Sequence, residues 1–550
     1  MAETTPTTRP ATDVQPTRER VFPRLEAGTP SRLRQQFQLP SLGQLFTVAF
    51  FGGAAFLVAL ALGWAGAKDS LQMFALAGLL GLIFGLSALL KPELGLFCLI
   101  FITYTNLSHV AQVSFGLPAL MKPLVALIAV SVLVSRFIMR REKVTVNRTA
   151  VMLVIYNVVI ILSYFVAQDK WLAREIIIDY LKDVVIFLLI INIADNEKTW
   201  VQALWVFVLS GAFLAALSSY QALTGNFGNT FFELAIADSH EITAGIDRPR
   251  VSGPLGDPNF YAQILVMALP IAIYRVLDEK RPRVKLLFGG ATAVFLIAIM
   301  FTYSRGAFLD LMILAVLIAL DRKVKPYYIV AGALIFFLLI LPILPAEYQD
   351  RVGTLNFLST LTESRSSQTV RSIEEASFQG RTSELLAAIE MFKDNPILGV
   401  GIGNYSVRYL EYAPRIGIDM RGQEREAHSL FFEIAANTGV LGEITFVLLL
   451  ASAFVSQAKS IETFDKIGRK DLSSWVKGTR LGVLGFLITG IFLHGAFARY
   501  MWLLIGLATA AEPVAQREYL RYREAIRRRR RDAVLRGEQG DEPAQQSLKA

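Results

Sequence analysis

Runs of about 20 apolar residues recur along almost the whole chain, and no other feature limits its possible folds as strongly. The chain has 550 residues, of which 53% are hydrophobic, and its mean hydropathy is +0.46. Each run is long enough to cross a bilayer as one helix, the conformation that satisfies all backbone polar groups within a segment. The sequence therefore predicts an all-α polytopic membrane protein with about 12–14 transmembrane helices and one large, partly helical external loop.

The predicted spans are 45–66, 71–90, 93–108, 118–137, 149–167, 175–193, 199–223, 259–277, 284–303, 306–320, 326–345, 429–456, 480–497 and 500–511. Only Arg499 and Tyr500 separate the last two runs. Either two tightly joined helices or a re-entrant hairpin is compatible with that pattern.

Lysine and arginine orient these spans. They are concentrated in four connections, near 136–148, 275–285, 322–325 and 459–477. If every run crosses once, all four connections lie on the same side as both chain ends. The positive-inside rule then places both termini in the cytoplasm and the two long loops on the exterior, meaning the periplasm or its equivalent.

The predicted organisation follows from this topology. It comprises a disordered basic cytoplasmic tail at 1–44, transmembrane helices 1–11 at 45–345 with an external loop at 224–258, a large periplasmic loop at 346–428, C-terminal transmembrane helices at 429–511, and a basic cytoplasmic tail at 512–550. No cleavable signal peptide is apparent in the polar first forty residues.

The periplasmic loop is predicted to begin with a loose polar segment, Ser364 to Ser377. Thr382 or Ser383 then caps a helix that ends before Asn395-Pro396. Leu385, Ile389 and Phe392 form the apolar face of that helix, and Tyr405 to Tyr412 is compatible with a second short helix.

Composition excludes or disfavours several functions. The single cysteine, Cys98, excludes an internal disulfide framework. The net charge of +9 is better explained by juxtamembrane anchoring than by nucleic-acid binding, and the run Arg527 to Arg531 is predicted to attract anionic membrane lipid. No HExxH motif, Cys/His metal spacing or Walker loop is present, so neither a metal nor a cofactor is predicted.

Four polar strings on the external side carry the candidate chemistry. They are Arg248 to Asn259 (RPRVSGPLGDPN), Thr302 to Gly306 (TYSRG), Gly380 to Tyr405, which ends in the NPILGVGIGNY segment, and Glu426 to Gly442 (EAHSLFFEIAANTGVLG).

Arginines in two strings are suited to an anionic ligand. Arg305 lies between two apolar runs, where an unpaired guanidinium is costly, and Ser304 and Gly306 suit a turn around a pyrophosphate. Snorkelling of Arg305 to lipid phosphate is the alternative. Arg381 begins a predicted helix, where a surface salt bridge to Glu384 or Glu390 explains it equally well.

His428 is one of four histidines and precedes a membrane helix. A helix N-terminus disfavours imidazolium, whereas Glu424 and Glu426 favour it. A basic imidazole at a bilayer surface suggests chemistry on a lipid-borne substrate, but a capping or packing histidine is an equally good interpretation of this residue alone. The other histidines have no supporting cluster in the sequence.

Together, these strings resemble the O-antigen ligase and polymerase superfamily of bacterial membrane glycosyltransferases. The resemblance rests on Ser304-Arg305-Gly306, Gly380-Arg381, Asn395-Pro396 with Gly399-x-Gly-x-Gly403, and the string from His428 to Gly442; Arg250 to Asn259 also fits. It is strongest from about 250 to 510 and excludes both basic tails.

The resemblance implies a metal-independent, inverting glycosyltransferase of the bacterial inner membrane that uses no cofactor. Its donor would be a glycan on undecaprenyl pyrophosphate, and its acceptor a hydroxyl of a glycan, lipid or protein. His428 would be the general base, and Arg305 and Arg381 would bind the pyrophosphate. Arg250, Lys182, Tyr405 and Ser304 are the further predicted substrate-binding residues. An intramembrane pair of Lys182 with Asp179 or Asp183 that holds helices together explains Lys182 at least as well.

The acceptor stays open at this stage. O-antigen ligation to lipid A core, polymerisation of lipid-linked repeats in O-antigen or exopolysaccharide assembly, and protein O-glycosylation all remain, with a slight preference for the first two. A solute transporter is a different class, but neither inverted repeats nor broken midplane helices are evident. A purely anchoring scaffold would not explain why Arg305, Arg381 and His428 share one predicted face.

Overall fold

A computed structural model describes residues 91–116, 118–139, 141, 143–238, 249–328, 331, 368–418, 423–495 and 499–536. The α-helices of this part of the chain are α1 Pro92–Tyr104, α2 Leu107–Phe115, α3 Met121–Val132, α4 Arg148–Ser163, α5 Lys170–Ile193, α6 Glu197–Thr224, α7 Pro258–Asp278, α8 Pro282–Phe301, α9 Arg305–Asp321, α10 Gln368–Asp394, α11 Tyr405–Ile416, α12 Leu430–Lys466, α13 Lys470–Thr489, α14 Arg499–Thr509 and α15 Ala511–Leu535. A π-helix, Leu133–Met139, follows α3, and a 3₁₀ turn, Tyr164–Val166, follows α4.

Two short strands complete the described secondary structure. β1 (Ile236–Asp238) pairs antiparallel with β2 (Arg250–Gly253) in the connection between α6 and α7. Helix therefore dominates, and the predicted all-α polytopic class is confirmed.

Within the described ranges, five helical segments are long and apolar enough to cross a membrane: Arg148–Val166, Glu197–Thr224, Pro258–Asp278, Pro282–Phe301 and Leu430–Lys466. The pair α1 and α2 adds a sixth if it counts as one span bent by 63°. Predicted spans 45–66 and 71–90, and most of 326–345, lie outside the described residues. The total of 12–14 spans thus stays a prediction.

The bend between α1 and α2 and the end of α13 differ from the predicted spans. Asn106 adopts a left-handed conformation (φ 54°), which divides the predicted span 93–108 into two helices. The predicted span 480–497 ends early, because α13 stops at Thr489. The carbonyl of Gly490 accepts a hydrogen bond from Leu430 N–H at 2.8 Å, so the chain leaves the helix to hold the start of α12.

Small residues let α7 and α13 approach each other closely. A Cβ added at Gly478 would lie 2.8 Å from the Cα of Ile271, and one added at Gly482 would lie 2.3 Å from the carbonyl oxygen of Met267. Small residues at such a crossing allow helices to pack backbone to backbone in lipid. This packing fixes the N-terminus of α7 beside the C-terminus of α13.

Helices α10 and α11 form a polar lobe in the predicted periplasmic loop. The helix α10 begins at Gln368, so residues 368–377 are helical and Thr382 and Ser383 are not its caps, contrary to the prediction. It ends at Asp394, before Asn395-Pro396, as predicted. The second predicted short helix is confirmed as α11.

The buried face of α10 also differs from the expected one. Ala387, Ala388 and Met391 are buried against the tyrosines of α11, whereas Leu385, Ile389 and Phe392 are only half-buried. Alanines leave room for large rings to lie against a helix, so the tyrosine hydroxyls reach polar partners. The Ser383 and Tyr409 hydroxyls lie 3.0 Å apart, for example.

The basic C-terminal segment is helical as far as it is described. Arg517 in α15 pairs with the buried Asp195 at 2.6 Å, and Asp195 also pairs with Arg136. The run Arg527 to Arg531 lies exposed on the same helix. Its predicted attraction to anionic lipid stays a prediction.

Candidate active site

The loop before α12 presents His428 in an unusual backbone conformation. His428 has φ 43°, in the left-handed region, where a non-glycine residue is strained. The first turns of α12, directly after His428, bond to the segment that follows α13. The Leu430 N–H donates to the Gly490 carbonyl, and the Gly495 N–H donates to Oε2 of Glu433 at 2.9 Å. A strained residue that its surroundings hold firmly is typical of functional sites.

This fastening brings a second histidine to the first. The rings of His428 and His494 meet edge to face, with their centroids 5.1 Å apart. The ring of Phe260, at the start of α7, packs on His494 in the same way at 4.9 Å. His494, which has no supporting cluster in the sequence, therefore belongs to the same constellation as His428.

Charged groups from α10 and from the loop before α12 also lie near the His428 ring. The Nε2 atom lies 3.8 Å from Oε2 of Glu384, a residue that is 1% exposed. Glu384 in turn binds Arg425 at 2.7 Å. Glu384, one predicted partner of Arg381, thus pairs with Arg425. Glu390, the other predicted partner, pairs with Lys393.

These surroundings keep His428 neutral. Partial burial, followed by the proximity of His494 and of the guanidinium groups of Arg381 and Arg425, lowers the pKa of His428 from 6.5 to about 3. The ring therefore has a lone pair free to accept a proton at neutral pH. The helix N-terminus considered in the sequence argument acts in the same direction.

The glycine string Gly399 to Gly403 docks on a break inside α12. Gly439 has φ 65° and ψ −164°, which interrupts the helix. The Val400 N–H donates to the exposed carbonyl of Ala436 at 2.8 Å, and the Gly401 N–H donates to that of Asn437 at 3.1 Å. A Cβ at Gly399 would lie 2.4 Å from Ala436 O, so this approach requires glycine.

Two asparagines complete the docking and position Tyr405. Asn437 Oδ1 accepts the Tyr405 N–H at 2.9 Å, and Asn404 Oδ1 accepts the Asp169 N–H at 2.6 Å. Asp169 caps α5, so the loop is tied to that helix as well. The Tyr405 hydroxyl donates to the Glu384 carbonyl at 2.6 Å, which connects this loop to the residues around His428.

The turn that bears Arg305 is held by Arg250. The Nε of Arg250 donates to the Thr302 carbonyl at 2.9 Å, and Nη2 donates to Asn259 Oδ1 at 3.3 Å. Arg250 is 3% exposed, so these bonds give it a positioning role; binding of substrate by Arg250 stays a prediction. The Ser304 hydroxyl accepts the Ala307 N–H at 3.4 Å as the N-cap of α9, and Arg305 is half-buried in the first turn.

The structure brings the predicted site residues together in two groups. Arg381 and Tyr405 lie around His428, whereas Arg305, Ser304 and Arg250 lie at the turn before α9. Asn259 and Phe260 link the groups, because Asn259 binds Arg250 and Phe260 packs on His494. Lys182 pairs with Asp179 inside the same helix, α5, so this pair does not hold two helices together. Substrate binding by Lys182 stays a prediction. Arg248 lies outside the described residues.

A cavity of about 350 Å³ is lined in part by His494, whose ring contacts that of His428. Its described walls come from α5, α7, α11, the start of α12 and the loop after α13: Leu172, Ile176, Phe260, Gly403, Tyr405, Ser406, Glu426, Glu433, Asn437, His494 and Gly495. Its size falls in the range of small-molecule sites. Among the described residues, no three His, Cys, Asp or Glu side chains are grouped to hold a metal ion.

Arg425, Phe260 and His494 were not among the predicted site residues. Glu384 was predicted as a partner of Arg381 and is observed to pair with Arg425. Arg425 precedes His428 by three residues, so its proximity was readable from the string. His494 carried no local signal, since only the packing of the loop after α13 against α12 brings it to His428.

The fold and the site define a multi-pass membrane protein with a polar, cation-flanked histidine site next to its apolar helices. Residues 290–447 match the family model described as O-antigen ligase. This match supports placing the chain in the O-antigen ligase and polymerase superfamily, as the resemblance predicted, and it supports a membrane glycan-transfer function. It covers Arg305, Arg381 and His428. A search of curated proteins found no significant match.

Proposed function

We propose that this chain is an inverting, metal-independent glycosyltransferase that moves a glycan from undecaprenyl pyrophosphate to an acceptor hydroxyl during cell-surface polysaccharide assembly. The observation that carries the proposal is the state of His428. Its backbone is strained, it lies near Arg381 and Arg425, and burial together with the neighbouring positive charges lowers its pKa, which favours the neutral ring. A neutral imidazole beside cationic groups suits removal of a hydroxyl proton next to an anionic leaving group.

Arg381 and Arg305 are the proposed binding groups for the anionic leaving group. Arg381 is exposed near His428, and Arg305 is half-buried in a turn that Arg250 holds. Guanidinium groups bind phosphate oxygens with short, charge-assisted hydrogen bonds and stay protonated. In the proposal they stabilise the charge that accumulates on the pyrophosphate as it leaves, a task that a divalent ion performs in other enzymes.

The reaction is a single displacement. His428 accepts the proton of the acceptor hydroxyl while the hydroxyl oxygen attacks the anomeric carbon. The bond between that carbon and the pyrophosphate oxygen breaks, and its electron pair leaves with undecaprenyl pyrophosphate. Attack from the side opposite the leaving group inverts the anomeric configuration. In this proposal the active site faces the periplasm and both termini are cytoplasmic.

Purified protein in lipid nanodiscs with an undecaprenyl-pyrophosphate-linked repeat unit tests the proposal. With EDTA present, we expect release of undecaprenyl pyrophosphate and a product whose new linkage has the inverted configuration by NMR. A retained configuration, or a need for added metal, would overturn the mechanism. In cells, deletion distinguishes the acceptor: single repeats without long chains indicate a polymerase, and long chains left on the carrier lipid indicate a ligase.

A further inference from the structure

The walls of the cavity that His494 lines carry hydrogen-bond acceptors, whereas the groups near His428 include the cations Arg381 and Arg425. Glu426, Glu433 and Asn437 place two carboxylates and an amide along it. Carboxylate and amide oxygens accept hydrogen bonds, so these walls suit a ligand that presents several donors. Glu426 is exposed at the rim, whereas Glu433 and Asn437 are buried.

Ring surfaces and an imidazole nitrogen complete the cavity. Phe260 and Tyr405 contribute aromatic surface, which suits the apolar faces of a ring-shaped ligand. The Nδ1 atom of His494 is buried and has no hydrogen-bond partner within the described part of the chain. A buried polar atom of this kind is expected to be satisfied by water or by a ligand.

Cationic groups lie elsewhere around His428. None of the described residues that line the cavity is lysine or arginine, although Arg381 and Arg425 lie close enough to influence the His428 ring. Phosphate binding is therefore disfavoured in the cavity, since its carboxylates would repel an anion. Two ligand chemistries therefore lie on the two sides of the His428–His494 pair: arginines near His428 for an anionic group, and hydrogen-bond acceptors with aromatic surface near His494 for a hydroxylated ring.

We propose that the cavity is the acceptor subsite and takes a non-acidic sugar, whose hydroxyls donate to Glu426 and Glu433 and whose ring lies against Phe260. The proposal rests on the proposed function, because it assigns the acceptor side to the same general base. It also narrows the acceptor class to a glycan whose receiving sugar is a neutral or amino sugar. A uronic acid is excluded by charge repulsion from the two glutamates.

Binding of simple glycosides tests this subsite without requiring transfer. The full chain in nanodiscs is titrated with methyl glucoside, methyl galactoside and methyl mannoside, and with methyl glucuronide and methyl galacturonide, using saturation-transfer difference NMR. We expect at least one neutral hexoside to bind about tenfold more tightly than its uronide counterpart, because both sugars donate hydroxyls but only the uronide carboxylate is repelled by Glu426 and Glu433. Binding of no neutral hexoside, or tighter binding of the uronides, would overturn the subsite.

Variants locate the binding. Glu426→Gln should raise the Kd of the neutral hexoside several-fold and reduce the ratio of uronide to hexoside Kd. Glu411→Gln, which alters an exposed glutamate of α11 outside the cavity, should change neither value. Phe260→Leu should weaken both classes of sugar. An unchanged Kd in both cavity variants rules the subsite out. His428→Ala should abolish transfer but leave hexoside binding intact, so failure of the proposed function and failure of the subsite give different results.

Discussion

At the scale of single residues, the site depends on how the surroundings of His428 set its protonation. The folded chain holds the backbone of His428 in the left-handed region. This conformation costs about 1–3 kcal/mol, which the hydrogen bonds of Leu430 and Glu433 offset. Burial and neighbouring positive charge then lower its pKa to about 3. A lowered pKa in a base means that the neutral, proton-accepting form persists as the pH falls below 6.5.

The pH dependence of transfer should reflect this shift. With saturating donor, we expect the acid limb attributable to His428 to lie well below pH 6.5, near the lowered pKa. Arg381→Gln removes a positive charge that disfavours imidazolium, so the pKa of His428 should rise and the acid limb should move toward neutral pH.

The matched control for that experiment is Arg415→Gln, an exposed arginine of the same lobe that pairs with Asp394. It should leave the profile unchanged. An acid limb near pH 6.5 in the unmodified chain, or one that Arg381→Gln does not move, would contradict the electrostatic account of His428.

At the scale of elements, glycine positions rather than hydrophobic periodicity determine how the polar lobe meets the membrane helices. The break in α12 frees the carbonyl groups of Ala436 and Asn437, which accept hydrogen bonds from the Gly399 to Gly403 loop. A Cβ at Gly399 or at Gly439 would clash with the opposite backbone, so both positions require glycine. The Gly399 to Gly403 string is therefore an ordered docking element. Its order comes from hydrogen bonds to a distant helix, which no local pattern reveals.

Gly439→Ala should destabilise this junction strongly. The conformation of Gly439 is essentially restricted to glycine, and its Cβ would lie 2.4 Å from the carbonyl carbon of Ile397. We expect a loss of about 3 kcal/mol or more in unfolding free energy, measured as a lower melting temperature in nanodiscs.

Gly289→Ala is the control, because a Cβ at this helical position meets open space. It should be neutral or slightly stabilising, since alanine favours helix by about 1 kcal/mol over glycine. Equal melting temperatures for the Gly439→Ala variant and the unmodified chain would show that the docking has no energetic importance.

At the scale of the whole molecule, apolar runs and loop charge predicted the fold class and most of the described membrane helices. Residue type also singled out Arg305, Arg381 and His428; Arg381 does lie near His428, and the roles of all three stay predictions. The pairing of Glu384 with Arg425 and the approach of His494 could not be predicted, since both depend on tertiary packing. The prediction of the buried face of α10 was wrong, because Ala387, Ala388 and Met391 pack against the tyrosines of α11 in place of Leu385 and Phe392.

Orientation in the membrane is testable with cysteine labelling, because Cys98 is the only cysteine in the sequence and is buried. A membrane-impermeant maleimide added to intact spheroplasts should label Arg415→Cys in the polar lobe. It should label Arg283→Cys, at the exposed start of α8, only after permeabilisation. Labelling of both positions in intact spheroplasts, or of Arg283→Cys alone, would contradict the proposed topology.

The most direct test of the central claim is the transfer rate of His428→Ala, measured in nanodiscs with saturating lipid-linked donor and compared with that of His109→Ala, which alters an exposed histidine. Loss of a general base should slow transfer by about 10²–10⁴-fold, while the melting temperature and the apparent donor affinity stay near those of the unmodified chain. His109→Ala should transfer at the normal rate. A folded His428→Ala variant that transfers as fast as the unmodified chain would contradict the account.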